Sequence, residues 1–411
     1  MEYSPSYKRQ ITKFGFYGFF KNLRFFDPVL LIYLASNQIS TFQIGLLYSI
    51  RELIIYVFEV PSGVFADRYG KKTELILCFI FYIISFFIFA IGTTFGVFII
   101  AMILFGLGEA FRSGTHKAMI LLYLDQHNRS DEKSKTYGKT RSFSMIGSMI
   151  SSLFTIYLVI AIPELKFLFF LAIIPYLMDI LLILSYPNEL NDKRSDTFTM
   201  REFAYETKET LRYVMHDKPM RRILLRSSSY MAGFKILKDF IQLILVSIPL
   251  TILLFEGFSA AEHVEIYAAI MYAIIFFISA ISSRYAYLLL RFSNHDFLTN
   301  LMWILSGVVS IMIGLFVANI LVVFIGFILL YVLLNIRKPL MVEIIGDHAD
   351  PARRASVLSI DSQLTSIFII VFAPILGYLS DQFSFGVTFL LVGIVMVSIY
   401  LFSQFQRTSR V

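Results

Sequence analysis

Ionisable side chains recur at helical spacing inside the apolar stretches of this sequence. The first stretch holds Arg24 and Asp27, followed by Pro28, whose missing N–H frees a carbonyl and is expected to bend a helix. The next holds Glu52, Tyr56, Glu59 and Gly63, whose steps of four, three and four put them on one helical face. Glu109, Arg112 and His116 form another such stripe. Later stretches carry Lys235, Lys238 and Asp239, then Arg337, Lys338, Pro339 and Glu343, then Asp361. Groups of this kind can hold a polar or zwitterionic solute by ion pairs, or carry protons. A carboxyl withdrawn from water holds its proton more tightly and can exchange it near neutral pH as its access to water alternates. Glu52, Glu59 and Glu109 are the candidates for proton coupling; Arg24, Asp27, Arg112, His116 and Lys235 complete the set of candidate solute or proton groups. A plainer alternative is that Arg24–Asp27 and Glu109–Arg112, each three residues apart, merely neutralise one another. That accounts for single pairs better than for the whole set, since neutral residues would pack at lower cost. Asp179 fits neither view.

The elements that must position these groups are membrane helices. The chain is 57% hydrophobic with a mean hydropathy of +0.72, and 16% of its residues are charged, against about 25% charged in an average soluble domain. The single cysteine, Cys78, excludes an intramolecular disulfide and a cysteine-based zinc site, and the six histidines lack ligand spacing, so no metal or other cofactor is expected. Phe is used 43 times, which suits lipid-facing surfaces, and a single Trp leaves no Trp belt. The net charge of +7 lies in loops between apolar runs, the pattern of membrane orientation and not of a nucleic-acid partner.

A spanning helix needs about 20 mostly apolar residues. Twelve segments qualify: 13–35, 42–64, 73–93, 96–123, 140–161, 166–186, 222–252, 261–290, 296–317, 319–345, 354–379 and 385–405, with Arg284 and Arg291 giving two exits for the eighth. The first is read as a retained helix and not a cleaved signal, because it is long, charged and without a small-residue cleavage site. With the N-terminus inside, Lys and Arg crowd the inner loops, while Lys166 is the only basic residue on the opposite side. Twelve helices with both termini cytoplasmic follow. The only long loop divides the chain into an N-terminal six-helix bundle (1–186), a cytoplasmic central loop (187–221) and a C-terminal six-helix bundle (222–411). In that loop Ser195-Asp196-Thr197 offers a helix cap, and Met200, Phe203, Ala204, Leu211 and Met215 fall near one face, as on a surface-lying amphipathic helix.

Between the second and third segments stands Gly63-Val64-Phe65-Ala66-Asp67-Arg68-Tyr69-Gly70-Lys71-Lys72. The pattern G-x-x-x-D-R-x-G-K-K resembles the hinge that the major facilitator superfamily carries between its second and third helices. Tyr33 to Ala35 with Ile39 to Ile50, Glu59 to Gly63, Gly106 to Gly114 and Arg354 to Ile360 are similar to segments of that family's bacterial exporter-like branches. The resemblance implies an all-α polytopic membrane protein, two six-helix bundles with a pseudo-two-fold relation, and a cavity lined by helices 1, 4, 7 and 10. It implies that Asp67 lies at the start of helix 11 and helps close the inner gate, that Lys71 pairs with Asp125, and that Gly63, Arg68, Gly70 and Lys72 complete the gating motif. The loop between helices 8 and 9 has no matching motif, and helix 5 lacks the Gly-Pro pattern of drug/proton antiporters, so drug export is not indicated.

Other chemistries find little support. Gly70-Lys71-Lys72-Thr73 is not a phosphate loop, because Phe65 stands where a glycine is required. Asn128-Arg129-Ser130 is a glycosylation sequon by letters only, being on the inner side. The function expected is secondary active transport of a small solute across the cytoplasmic membrane by alternating access, proton-coupled and tilted toward efflux, by a monomer. A non-transporting sensor on the same fold would be expected to carry a further cytoplasmic domain. A membrane enzyme acting on lipid-linked substrates would be expected to show large external loops with clustered acids or histidines.

Overall fold

In lipid every backbone N–H and C=O must be satisfied within its own segment, so apolar runs of this length fold as helices. The computed structural model describes residues 5–129, 132–162, 164–191, 209–248, 259–285, 293–349 and 354–408. Its α-helices are α1 (Pro5–Lys21), α2 (Leu30–Ser36), α3 (Thr41–Tyr69), α4 (Lys71–Ile91), α5 (Phe95–Arg112), α6 (Thr115–Gln126), α7 (Lys133–Ala161) and α8 (Lys166–Leu184). There follow α9 (Lys218–Leu237), α10 (Phe240–Ser247), α11 (Ala260–Tyr285), α12 (His295–Leu315), α13 (Ile320–His348), α14 (Arg354–Gln382) and α15 (Phe385–Thr408). No strand occurs among the described residues, and eight helical stretches are long and apolar enough to cross a membrane. Within the described residues each of the twelve expected segments is helical, but the first, fourth and seventh come in two pieces: α1 with α2, α5 with α6, α9 with α10. The cap at Ser195 to Thr197, Met200, Phe203, Ala204 and the exit at Arg291 lie outside the described residues.

The chain divides into two compact units, residues 1–33 with 50–205, and residues 34–49 with 206–411. In the first unit the core is aromatic. Phe86, Phe89, Phe98 and Phe169 are all but sealed from solvent, and Phe89 stacks on Phe169 with ring centroids 5.3 Å apart. Phe therefore fills the interior as well as lipid-facing surfaces. The second unit packs Val214, Met220, Leu224, Ile345, Val357 and Ile360 into one cluster, which anchors the helical residues 209–216 while Leu211 and Met215 stay exposed.

Residues 34–49 belong with the second unit for a definite reason. The backbone N–H groups of Thr41 and Phe42, unsatisfied at the start of α3, donate to the Asp381 carboxylate at 2.9 and 2.7 Å. Glycine then lets the backbones meet: a Cβ at Gly45 would stand 2.4 Å from the Ala373 carbonyl, and one at Gly377 2.4 Å from that of Thr41.

The hinge between α3 and α4 turns on Gly70. Its φ of 96° is a conformation that side chains resist, and an added Cβ would sit 2.2 Å from the Asn191 Oδ1. That oxygen accepts the Lys72 N–H at 3.0 Å, so it cannot simply withdraw. Around Gly63 there is open space. Gly70→Ala should therefore lower the stability of the purified protein by about 1–3 kcal/mol, read as a fall in thermal midpoint, whereas Gly63→Ala should leave it within error. An unchanged midpoint in Gly70→Ala would contradict this reading of the turn.

Candidate functional site

Helix α1 stops at Lys21 in the middle of an apolar segment, and the chain resumes as a short 3-10 turn, Asp27–Val29, leading into α2. Pro28 stands in the first positions of that turn, where its missing N–H costs nothing, so the interruption lies upstream of the bend expected at Pro28. Breaking a helix frees carbonyls that must find donors. Here the Lys21 carbonyl accepts from the Tyr176 hydroxyl at 2.9 Å, and that of Phe25 accepts from Thr155 at 2.8 Å. The fourth segment breaks at Ser113–Gly114, where Gly114 adopts a left-handed φ of 78°.

The two breaks bring charges together. Arg24, between α1 and α2, donates from Nη2 to the Glu109 carboxylate at 3.0 Å and from Nε to the Tyr176 hydroxyl at 2.6 Å. The same carboxylate takes Arg112 on its other oxygen, and Arg112 also donates to the Tyr82 hydroxyl at 3.3 Å. The Arg24 guanidinium lies over the rings of Tyr82 and Phe105, 5.3 and 5.0 Å from their centroids. One carboxylate thus serves two guanidinium groups at the ends of two broken helices. Of the two i, i+3 pairs read from the sequence, Glu109–Arg112 is present and Asp27 is a charge that acts on Arg24, but Glu109 also reaches across 85 positions to Arg24.

Two further charges lie beside this clamp. Asp179 is fully buried on α8, and neither of its oxygens has a hydrogen-bond partner. Lys21 is the charge that acts on it, and Lys21 in turn stands among Arg24, Arg112 and Glu109. Asp179, which the sequence leaves without a role, therefore borders the site. Sequence reasoning misses Lys21, although it lies three residues before Arg24. His116 makes no bond to the clamp, although Lys21 and Arg112 act on it: its ring stacks on Tyr17 with centroids 3.6 Å apart, and its Nε2 meets the Tyr186 hydroxyl at 3.2 Å. Glu52 is buried and accepts from its neighbour Arg51 at 3.0 Å, while Glu59 accepts from Ser113 at 3.2 Å, at the α5–α6 break.

The second unit also breaks a helix at a charge. The seventh segment is interrupted between α9 and α10 at Lys238 and Asp239, with no proline or glycine at the break. Asp239 is buried and accepts from Lys238 at 2.6 Å, from Tyr272 at 2.8 Å and from Tyr48 at 2.9 Å. Its cation is thus its neighbour Lys238. Arg337 is buried with its guanidinium 4.1 Å from the Tyr230 ring centroid and 5.5 Å from that of Trp303, donating to the carbonyls of Thr299 and Arg226. Asp361 accepts from Ser227 and Ser228.

At the hinge, Asp67 is half-buried and makes no hydrogen bond or ion pair among the described residues; Arg68 is exposed and lies over the Tyr69 ring. Asp125 pairs with Lys133 at 2.8 Å, so its partner is not Lys71, whose charge acts on Glu74 instead. Lys72 is buried, its ammonium donating to the carbonyls of Tyr186 and Leu184 and to Asn188. It ties α4 to the end of α8 instead of presenting a charge at a gate.

Residues 14–299 of the chain match the model of the Major Facilitator Superfamily. The chain belongs to that superfamily. An uncharacterized MFS-type transporter of Bacillus subtilis, YxaM, is 33% identical over 126 residues, which are 31% of this chain and 32% of that protein. A probable vesicular acetylcholine transporter-B of Danio rerio is 31% identical over 109 residues, 26% of this chain and 22% of that protein. The matches thus span a third or less of these relatives. Among solved structures, the nucleoside transporter NupG superimposes with a TM-score of 0.75 at 14% identity, over 95% of this chain and 98% of that one. The human organic anion transporter MFSD10 does so with a TM-score of 0.63 at 13% identity, over 97% and 99%. At such identities the likeness is one of fold. Its superfamily and its long apolar helices make it a membrane protein.

If Glu109 is the counter-charge for both arginines, removing it strands two sheltered cations. Glu109→Gln should then cost on the order of 3 kcal/mol in stability, and Tyr176→Phe, which removes the acceptor for Arg24 and the donor to the Lys21 carbonyl, about 2 kcal/mol. Thermal unfolding of the two variants in detergent measures both. Equal, small effects would contradict the clamp.

Proposed function

We propose that this transporter moves a small zwitterionic solute across the cytoplasmic membrane by alternating access, with proton coupling and in the direction of export. The observation that carries the reading is the Arg24–Glu109–Arg112 clamp at two helix breaks. Binding sites of secondary transporters are built where membrane helices are interrupted, because freed backbone groups and helix ends can then face a solute. A solute carboxylate that takes the two guanidinium groups leaves Glu109 short of a cation, with Lys21 alone acting on it. A zwitterion supplies that cation with its own ammonium group; an anion would need a proton to do so. The exporter-like resemblance of the segments around Gly45, Gly63, Gly108 and Arg354 supports export, and the Lys and Arg bias of the loops supports cytoplasmic termini. We further assign Asp67 to gating and not to solute binding, since it lies apart from the clamp on the hinge and has no ion pair among the described residues.

Flux of zwitterionic solutes into proteoliposomes, with and without an imposed pH gradient, tests the reading. The wild type should show gradient-dependent flux; Glu52→Gln and Glu109→Gln should each lose the gradient dependence. Absence of flux for any such solute under either condition would overturn transport of this class, and intact gradient dependence in both variants would overturn the coupling. Asp67→Asn should slow turnover severalfold while leaving the half-saturating concentration nearly unchanged; the reverse pattern would make Asp67 a solute ligand.

A further inference from the structure

A second charged site lies in the first unit, away from the clamp. The start of α1, the end of α6 and the residues after α8 enclose a cavity of about 880 Å³ lined by Arg9, Gln10, Lys13, Tyr123, His127 and Glu189, among others. Its charges do not balance. Among the described residues the Arg9 guanidinium has no ion pair, and the Lys13 ammonium donates only to the Ser185 carbonyl, at 2.8 Å. Arg9 and Lys72 are the charges that act on Lys13, and both are cations. Lys72 is itself held by neutral oxygens of Leu184, Tyr186 and Asn188. Of these cations Arg9 and Lys13 line the cavity, and among its described lining residues Glu189 is the one carboxylate, itself exposed.

Gln10 lines the cavity with other atoms, is 4% exposed, and its Nε2 is sealed from solvent, so the donors that face the cavity are those of Arg9 and Lys13. Guanidinium and ammonium donors lining one cavity suit an anion with several acceptor oxygens. The cavity is far larger than a bare oxyanion, so the anion is expected to carry a body.

We propose that this cavity binds a phosphate ester, its phosphate oxygens taken by Arg9 and Lys13. The ester could be the headgroup of an anionic lipid, which basic pockets between membrane helices are suited to hold, or a soluble compound; the experiment separates the two. Thermal unfolding of the full-length protein in detergent is followed during titration with dihexanoylphosphatidylglycerol, with glycerol 3-phosphate, and with chloride at matched ionic strength. A ligand of the folded state raises the midpoint in a saturable way. A rise with the lipid alone identifies a headgroup site, and a rise with both identifies a site for the phosphate ester itself. In Arg9→Gln and Lys13→Gln the apparent affinity should fall about tenfold or more, as loss of a charge-assisted bond requires, and Lys13→Arg should restore it. Arg9 is exposed, so its variant keeps the test open should Lys13→Gln fail to fold. No saturable rise beyond chloride in either titration, or a rise of undiminished affinity in Arg9→Gln, would overturn the proposal. The readout is binding and needs no transport.

Discussion

A single carboxylate shared by two guanidinium groups sets the terms for the first unit. Charges in a bilayer are tolerated only where partners or water meet them. Glu109 meets Arg24 and Arg112, and the tyrosines 82 and 176 take up remaining donors. For Arg24 to reach Glu109 the first segment has to be interrupted, and the interruption is tolerated only because Tyr176 and Thr155 cap the carbonyls it frees. Backbone break, aromatic packing and ion cluster are therefore one arrangement. Shift any of them and the other two lose partners.

The second unit solves the same problem with different chemistry. Asp239 sits at the break of its first helix and is held by one ammonium and two phenols, while Arg337 is balanced by aromatic faces and backbone carbonyls. The clamp of the first unit keeps its cations on a carboxylate, from which a solute carboxylate can take them by exchange. Arg337 has no such exchangeable partner among the groups that bond it. On this ground the first unit is the better place for a charged solute, and the second for holding its broken helix in shape.

Much of this is legible in the sequence, and the illegible parts share a cause. Apolar runs of about 20 residues mark the helices, and Arg24, Glu109 and Arg112 stand out because charges are rare in such runs. What spacing cannot show is a partner from another helix. By spacing Glu109 is a local pair with Arg112, and its bond to Arg24 depends on a fold-back of the first unit. Tyr82 and Tyr176 carry no signal, since tyrosine is unremarkable in an aromatic-rich chain. The break at Lys238–Asp239 has no proline or glycine to announce it; it is held by Tyr48 and Tyr272, 191 and 33 positions from Asp239. Family resemblance matches Asp125 to Lys71, whereas a cation on the following helix, Lys133, takes it.

The most direct test of the clamp as the solute site is thermal stabilisation of the purified protein by a panel of zwitterionic, anionic, cationic and neutral solutes, run in parallel on wild type, Arg24→Lys and Arg112→Lys. Ligands that bind only the folded state raise its midpoint. Arginine's two-pronged geometry is lost in lysine although the charge is kept. Zwitterions should stabilise the wild type, and both lysine variants should lose most of that stabilisation. A solute that stabilises all three proteins equally would place its site elsewhere and contradict a solute-binding role for Arg24, Glu109 and Arg112.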